Sequence, residues 1–237
     1  MYFGSTAICY REERFILPHL QHLPDWIDPL VLVSTKPWTG EDTGADGTAK
    51  LAKTTEARVV ENYWKTEDHQ RNVGQVLHDD KDWIIVLDPD EFLTNDGWDT
   101  LKNFLETTDA DAVIVEGQYT YWKDGYVADP PRDYQQLIAV RPNVRFVDKR
   151  VVGSTYVVAP VWIHHFSWAR TDAEVWDKIS HYAHSSDFDI TNWYENVWLK
   201  WKPGIEDVHP TSPETLHKLI KATLPPELES LNLWPKN

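Results

Sequence analysis

The sequence predicts an α/β fold built on a largely parallel sheet, and three observations carry this. In the first hundred or so residues, short apolar runs alternate with segments of helical periodicity, the pattern of strands joined by helical crossovers. The apolar runs are rich in Val, Ile and Leu and only about four to eight residues long, as strands buried on both faces are. The 237 residues, 41% of them hydrophobic, suffice to bury one sizeable core.

Taken in order, residues 3–9 read as the first strand and residues 11–23 as a helix with Phe15, Ile16, Leu20 and Leu23 on one face, its start left open by Pro18. Residues 29–34 are a second, buried strand, followed by a Gly- and Asp-rich loop at 35–47 and a helix from about residue 48. A third strand at 58–60, a helix at 68–77 and a fourth strand at 83–87 complete the alternation, and the fourth runs straight into Asp88-Pro89-Asp90-Glu91. After a helix at 98–105 the pattern changes. Residues 112–116, 119–122, 137–140 and 157–165 read as strands without regular helical partners. Residues 172–183 form an amphipathic helix with Val175, Ile179, Tyr182 and Ala183 on one face, and 193–201 form another. The Pro-rich tail is expected to pack along the surface. The simplest division is a catalytic-sized unit over residues 1–190 and a C-terminal helical or extended appendage over 191–237.

Composition narrows the function. With 38 acidic against 23 basic residues and a formal charge of −15, the chain is not expected to offer nucleic acid a broad cationic surface. A small anion held by a few local cations is compatible with that charge. The lone Cys9 forms no internal disulfide, which suits a reducing, cytoplasmic setting. No apolar run approaches the ~20 residues of a membrane helix. Thirteen Trp residues supply core, and Trp faces also stack on sugars.

The chemistry starts at the fourth strand. A buried strand ending in Asp88-Pro89-Asp90 sets two carboxylates at the carboxyl end of a parallel sheet, where such sheets bind ligands. Two carboxylates one residue apart can share a divalent cation and a ribose hydroxyl, and the cation would admit a diphosphate to an acidic chain. An ordinary solvated turn is the competing reading of Asp-Pro-Asp. On a strand, adjacent residues point to opposite faces, so only one of His164 and His165 can face a common site.

Residues 83–93, Trp-Ile-Ile-Val-Leu-Asp-Pro-Asp-Glu-Phe-Leu, resemble the metal-binding segment of GT-A-fold glycosyltransferases of the family 2 type. Three more pieces fall in the matching order. Ala7-Ile8-Cys9-Tyr10-Arg11-Glu12-Glu13-Arg14 is similar to the family's first strand and Tyr-Asn-Glu-Glu turn, with Arg11 in place of the Asn. Trp64-Lys65-Thr66-Glu67-Asp68-His69-Gln70-Arg71-Asn72-Val73-Gly74 resembles its helix start carrying Arg-Asn. Trp162-Ile163-His164-His165-Phe166-Ser167-Trp168-Ala169-Arg170 resembles a segment in which a His completes the metal shell. The second strand departs from the family: Ser34-Thr35-Lys36 stands where an Asp usually reads the base or ribose, and Asp42 to Thr48 resembles the Asp-Gly-Ser-Thr-Asp-Gly-Thr loop several residues late.

The resemblance implies a GT-A (Rossmann-like) fold, a nucleotide-diphosphate sugar donor (a UDP-sugar first among them) and a glycan acceptor. It implies Asp88, Asp90 and His165 around a divalent metal, and the imidazole favours Mn²⁺ over Mg²⁺. Tyr10 and Glu12 would frame the nucleoside with Ser34 and Lys36, Arg71 and Asn72 would lie beside the ribose or donor sugar, and Arg170 and Lys178 would reach the diphosphate. An inverting transfer needs a general base; by position Asp148 is the first candidate, with Glu116 and Asp124 behind it. Trp122, Trp168, Trp193, Trp198 and Trp201 lie in the half where an acceptor would bind. The competing readings are a sugar nucleotidyltransferase, whose Gly-rich, Arg-containing loop is replaced by Tyr10-Arg11-Glu12-Glu13; a Trp-rich glycan-binding module, usually all-β; and a metal hydrolase built on His164 and His165.

Overall fold

The computed structural model describes residues 1–39, 44–132, 136–181 and 185–235. Strands β1 (Phe3–Cys9), β2 (Ile27–Ser34), β3 (Arg58–Asn62) and β4 (Trp83–Val86) lie side by side and all parallel, in the order β3-β2-β1-β4. Helices α1 (Glu13–His22), α2 (Thr48–Ala52) and α3 (Glu67–Leu77) make the crossovers. β1 and β4 are buried along their whole length, and each fully buried aliphatic side chain there contributes about 1.5–3 kcal/mol. The chain winds outward from β1 through β2 to β3 and then returns to the other side of β1 as β4. That reversal leaves a crevice at the carboxyl ends of β1 and β4, the switch point at which such sheets take ligands. α3 packs close over β1 because residue 74 is glycine: a Cβ there would lie 2.5 Å from Thr6 Cγ2.

The second half extends the sheet in mixed order. β5 (Glu91–Phe92) and α4 (Asn95–Thr107) precede β6 (Ala112–Trp122), β7 (Tyr126–Ala128), β8 (Leu137–Val140), β9 (Phe146–Asp148), β10 (Val151–Val152) and β11 (Tyr156–His165). β8 lies antiparallel between β4 and β6; β11 runs parallel to β6 and meets β5 antiparallel, with His165 opposite Glu91. The two strands predicted at 112–116 and 119–122 are one continuous strand. Gly117 does not interrupt it, since its missing side chain makes room for the Trp162 ring, which would come within 2.4 Å of a Cβ.

α5 (Asp172–His181) corresponds to the predicted amphipathic helix and buries Val175 and Ile179; Tyr182 and Ala183 of that prediction, with His184, lie outside the described residues. The helix expected at 193–201 is instead a short α6 (Ile190–Trp193) continued by a π-helical turn over Tyr194–Trp198, closed by Leu199 N–H to Tyr194 C=O at 2.9 Å. The wider turn sets Trp193 and Trp198, five residues apart, on one face, where both meet Trp122. Trp122, Trp168, Trp193, Trp198 and Trp201 are all buried in this second core, with Val208, Leu216 and Leu219. Their faces are packed on one another and on aliphatic neighbours, which explains much of the unusual Trp content.

The tail does more than lie along the surface. β12 (Leu219–Lys221) adds a strand antiparallel to β7, and beyond α7 (Pro226–Glu229) Leu233 is buried against the Phe15 and Phe166 cluster. Among the described residues no helix is long and apolar enough to cross a membrane.

Candidate active site

The turns after β1 and β4 supply the first two walls of the site. Tyr10, Arg11 and Glu12 follow β1, with Arg11 at φ +57°, a left-handed conformation that Asn adopts more readily than other non-glycine residues. The turn is tied to the loop before α2: Glu12 N–H donates to Thr48 Oγ1 at 2.8 Å, Glu13 N–H to Asp46 Oδ2 at 3.2 Å, and Thr48 N–H to Asp46 Oδ1 at 2.9 Å. Glu41, Asp42 and Thr43 of that loop lie outside the described residues. A small cavity at the ends of β1 and β2 is lined by Tyr10, Arg11, Ser34, Thr35, Asp46 and Glu61. Tyr10 and Ser34, both expected near a nucleoside, are thus brought together. The Ser34 hydroxyl donates to Lys36 C=O at 2.5 Å, so Ser34 braces the start of that loop.

After β4, the two aspartates face different cations. Asp88 accepts from Arg71 Nη2 at 3.0 Å on both oxygens, and Arg150 Nη1 stands 3.5 Å away. Arg71 projects from α3, also held by Glu67 one turn earlier at 2.8 Å, and its Nη1 is buried with no hydrogen-bond partner among the described residues. Thr66 caps this helix by accepting from His69 N–H. Asp90 is nearly fully buried. Its Oδ2 accepts from Arg170 at 2.8 Å and Lys178 at 2.9 Å, and His165 Nε2 lies 3.4 Å from Oδ1. Arg170 also bonds both Glu12 oxygens, at 3.0 and 2.8 Å. Glu174 on α5, one turn beyond Arg170, is taken instead by Arg14 at 2.7 Å on both oxygens.

The charge states follow from these contacts. Burial pushes the Asp90 carboxyl up, but Lys178, His165 and Arg170 outweigh it and hold it well below the usual carboxylate range. Burial likewise opposes ionisation of Asp88, and Arg71 and Arg150 overcome it. Glu12 ends on the other side: burial raises its pKa and Arg170 offsets this only in part. Both arginines are held firmly charged by Asp88 and Glu67, and by Glu12 and Asp90, against their own burial.

The two histidines part company. His164 turns to Tyr121, whose hydroxyl lies 2.7 Å from Nδ1, and stacks on Tyr119; His165 turns to Asp90. Asn72 does not turn towards the crevice: its amide accepts from Phe146 N–H and donates to Phe146 C=O, both at 2.9 Å, and so fastens β9. Asp148 is exposed on β9, and Glu116 accepts from the Trp162 indole at 3.0 Å on the outside of β6; neither is brought to the ion-pair cluster. Asp124 lies in the tight turn between β6 and β7 at φ +56°.

Arg150, which local pattern does not single out, is central here. It grips both Glu91 oxygens at 2.8 Å and also bonds Val86 C=O, tying the β9–β10 hairpin to the end of β4. The only hint in the sequence is that a further carboxylate, Glu91, directly follows Asp90 at the end of a buried strand, where it needs a cation from somewhere. A roomier cavity of about 290 Å³, lined by residues 128–132, Thr215 and His217, shares no residue with this cluster.

A divalent cation fits these residues at one place. An ionised, buried Asp90 oxygen and His165 Nε2 stand 3.4 Å apart and offer one carboxylate and one imidazole donor to the same point. Among the described residues no three His, Cys, Asp or Glu side chains gather into a cage, so a cation there would draw further ligands from water or phosphate oxygens, as Mg²⁺ and Mn²⁺ commonly do.

No family model matches the sequence. A TPR repeat-containing protein of Synechococcus elongatus, Synpcc7942_0270, is 28% identical over 144 residues, which is 60% of this chain and 33% of that protein. The match thus spans about a third of that relative's length. Among solved structures, S. aureus TarS 1-349 in complex with UDP-GlcNAc superposes with a TM-score of 0.51 at 11% identity, over 70% of this chain and 59% of that one. The mannosyltransferase PcManGT from Pyrobaculum calidifontis, in complex with GDP-Man and Mn²⁺, gives 0.48 at 14% identity over 76% and 61%. The chain has the mixed α/β fold of the GT-A glycosyltransferases, a mostly parallel central sheet flanked by helices.

Proposed function

We propose that this protein is a glycosyltransferase that moves a sugar from a nucleotide-diphosphate sugar, a UDP-sugar, to a glycan acceptor. One observation carries the reading: a chain of net charge −15 gathers Arg71, Arg150, Arg170 and Lys178 around Asp88 and Asp90 at the switch point of its sheet. Glu12, Glu67 and Glu91 are paired to these same cations, so a divalent cation held at Asp90 would be what tips the cluster towards a diphosphate. That TarS, of similar fold, is solved with UDP-GlcNAc supports the donor class.

In this reading Tyr10 and Ser34 line the nucleoside pocket, with Glu12 and Lys36 at its edges. Asp88 meets the ribose while Arg71 holds its carboxylate in place. Asp90 and His165 hold a divalent cation, Mn²⁺ before Mg²⁺ because one donor is an imidazole nitrogen. Such a cation, when bound, neutralises the diphosphate and eases departure of the nucleotide. Arg170 keeps the Asp90 carboxylate ionised and aimed. The lone, buried Cys9 fits a reducing, cytoplasmic setting.

The test is thermal unfolding with UDP, GDP and UDP-sugars, each with and without Mn²⁺. UDP is expected to raise the melting temperature, and more so with Mn²⁺, by mass-action linkage. Asp90→Ala should lose the Mn²⁺-dependent part. A chain indifferent to every nucleotide would overturn the reading.

A further inference from the structure

We propose that Lys178 is a resident counter-ion of Asp90, which a divalent cation displaces and which then pairs with the donor's diphosphate. This rests on the transferase reading above and adds to it a residue that binds in two places in turn.

The Lys178 ammonium is surrounded by oxygen as a metal ion would be. Asp90 Oδ2 lies at 2.9 Å, Ser167 Oγ at 2.9 Å and Ser167 C=O at 3.3 Å. The Asp90 side chain is 5% exposed, and a buried carboxylate cannot stay ionised without a counter-charge. In the absence of a metal, Lys178 supplies it together with Arg170. A divalent cation arriving between Asp90 and His165 would meet that ammonium across a single carboxylate. Two cations so close in a poorly solvated site repel strongly, so occupancy by one favours departure of the other.

Of the two cations on Oδ2, only Lys178 is free to leave. Arg170 is 4% exposed and bonded to Glu12 twice, to Asp90 and to Ser167 C=O. Lys178 is 18% exposed on a flexible four-carbon stem whose ammonium can donate in any direction. Its helix does not depend on it: α5 is pinned to the turn after β1 by Arg11–Asp177 and to α1 by Arg14–Glu174. The ammonium can therefore swing while α5 stays docked, and the nearest new anion in a loaded site is the diphosphate. Ser167 is the other half of the device, holding the ammonium in its resting position.

The experiment is calorimetric titration of Mn²⁺ into the nucleotide-free full chain, and of UDP at saturating Mn²⁺, for wild type, Lys178→Met, Lys178→Arg and Asp90→Asn. Unfolding curves confirm that each variant is folded. Lys178→Met should bind Mn²⁺ at least about fivefold more tightly than wild type, because its competitor is gone, yet bind UDP at least about fivefold more weakly. Lys178→Arg keeps the charge and should bind Mn²⁺ as wild type does. If Lys178→Met binds Mn²⁺ no more tightly than wild type while Asp90→Asn abolishes binding, the exchange is wrong and the metal site stands. If no protein binds Mn²⁺ but all bind UDP, the exchange is again overturned and donor binding survives. Absence of both Mn²⁺ and UDP binding overturns the exchange together with the transferase reading.

Discussion

Arg170 reaches Asp90 and Glu12 with the same guanidinium nitrogen, 2.8 Å from an oxygen of each. The pairing joins the turn after β1 to the turn after β4, so the two walls of the crevice are held together by one buried cation. Asp90 has Lys178 besides, so loss of this cation from between two carboxylates out of water falls hardest on Glu12.

Arg170→Met should therefore destabilise the fold by about 3–5 kcal/mol, the usual cost of orphaning a buried ionic partner. Glu12, already driven towards its neutral form by burial, takes up a proton in the variant. Arg170→Lys should recover only part of the loss, since an ammonium cannot keep both the Nη2 contacts to the two carboxylates and the Nε–H bond to Ser167 C=O. Urea unfolding at neutral pH measures both. A Met variant within about 1 kcal/mol of wild type would show that the cluster is solvated and that Arg170 is dispensable.

Asn72 makes a different kind of link. Its amide exchanges two 2.9 Å hydrogen bonds with the backbone of Phe146, and the β9–β10 hairpin so fastened carries Arg150 back to Glu91. Asn72→Ala leaves a buried N–H and C=O without partners and should cost about 1–3 kcal/mol. The loss is local, so hydrogen exchange should quicken across residues 146–152 before it changes in β1 or β4. Uniform acceleration, or none, would contradict this role.

These two residues also mark what the sequence can and cannot reveal. β1, β2 and β4 are legible because each is a continuous apolar run, a signal contained in the strand itself. Asp88 and Asp90 are legible because they end such a run. The pairing of those aspartates with their cations is not, since Arg170 and Lys178 arrive from a segment about 80 residues away and Arg150 from a hairpin whose residues 147–152 are all exposed or half-buried, with no periodicity. β5 is two residues long and exists only because β11 pairs with it. Asn72 follows Arg71 in a segment that resembles a donor-binding motif, but residues adjacent on a helix point about 100° apart, and only Arg71 faces Asp88. The Trp residues were readable as either core or sugar platform. Their mutual packing around Trp122 is a tertiary fact with no local signal.

Acid sensitivity follows from histidines that the chemistry does not use. Burial pushes His19 and His164 down to about 4, and His78 in the same direction. His19 and His164 are neutral in the fold and protonate near pH 6.5 once unfolded, so between pH 6.5 and 4 the unfolded chain binds protons that the folded chain refuses. Stability is complete above about pH 6.5 and falls as pH drops, by about 1.4 kcal/mol per pH unit for each such residue. Asp90 acts in a lower window. Its folded pKa is depressed, so its contribution persists down to its unfolded value near 3.8 and is lost only below that. Urea unfolding at pH 7.5, 6 and 5 should show the decline, and His164→Gln, which keeps a polar partner for the Tyr121 hydroxyl, should make it shallower by about 1.4 kcal/mol per pH unit. An unchanged slope in that variant would mean that His164 protonates inside the fold, and the acid response would have to be sought at the carboxylates instead.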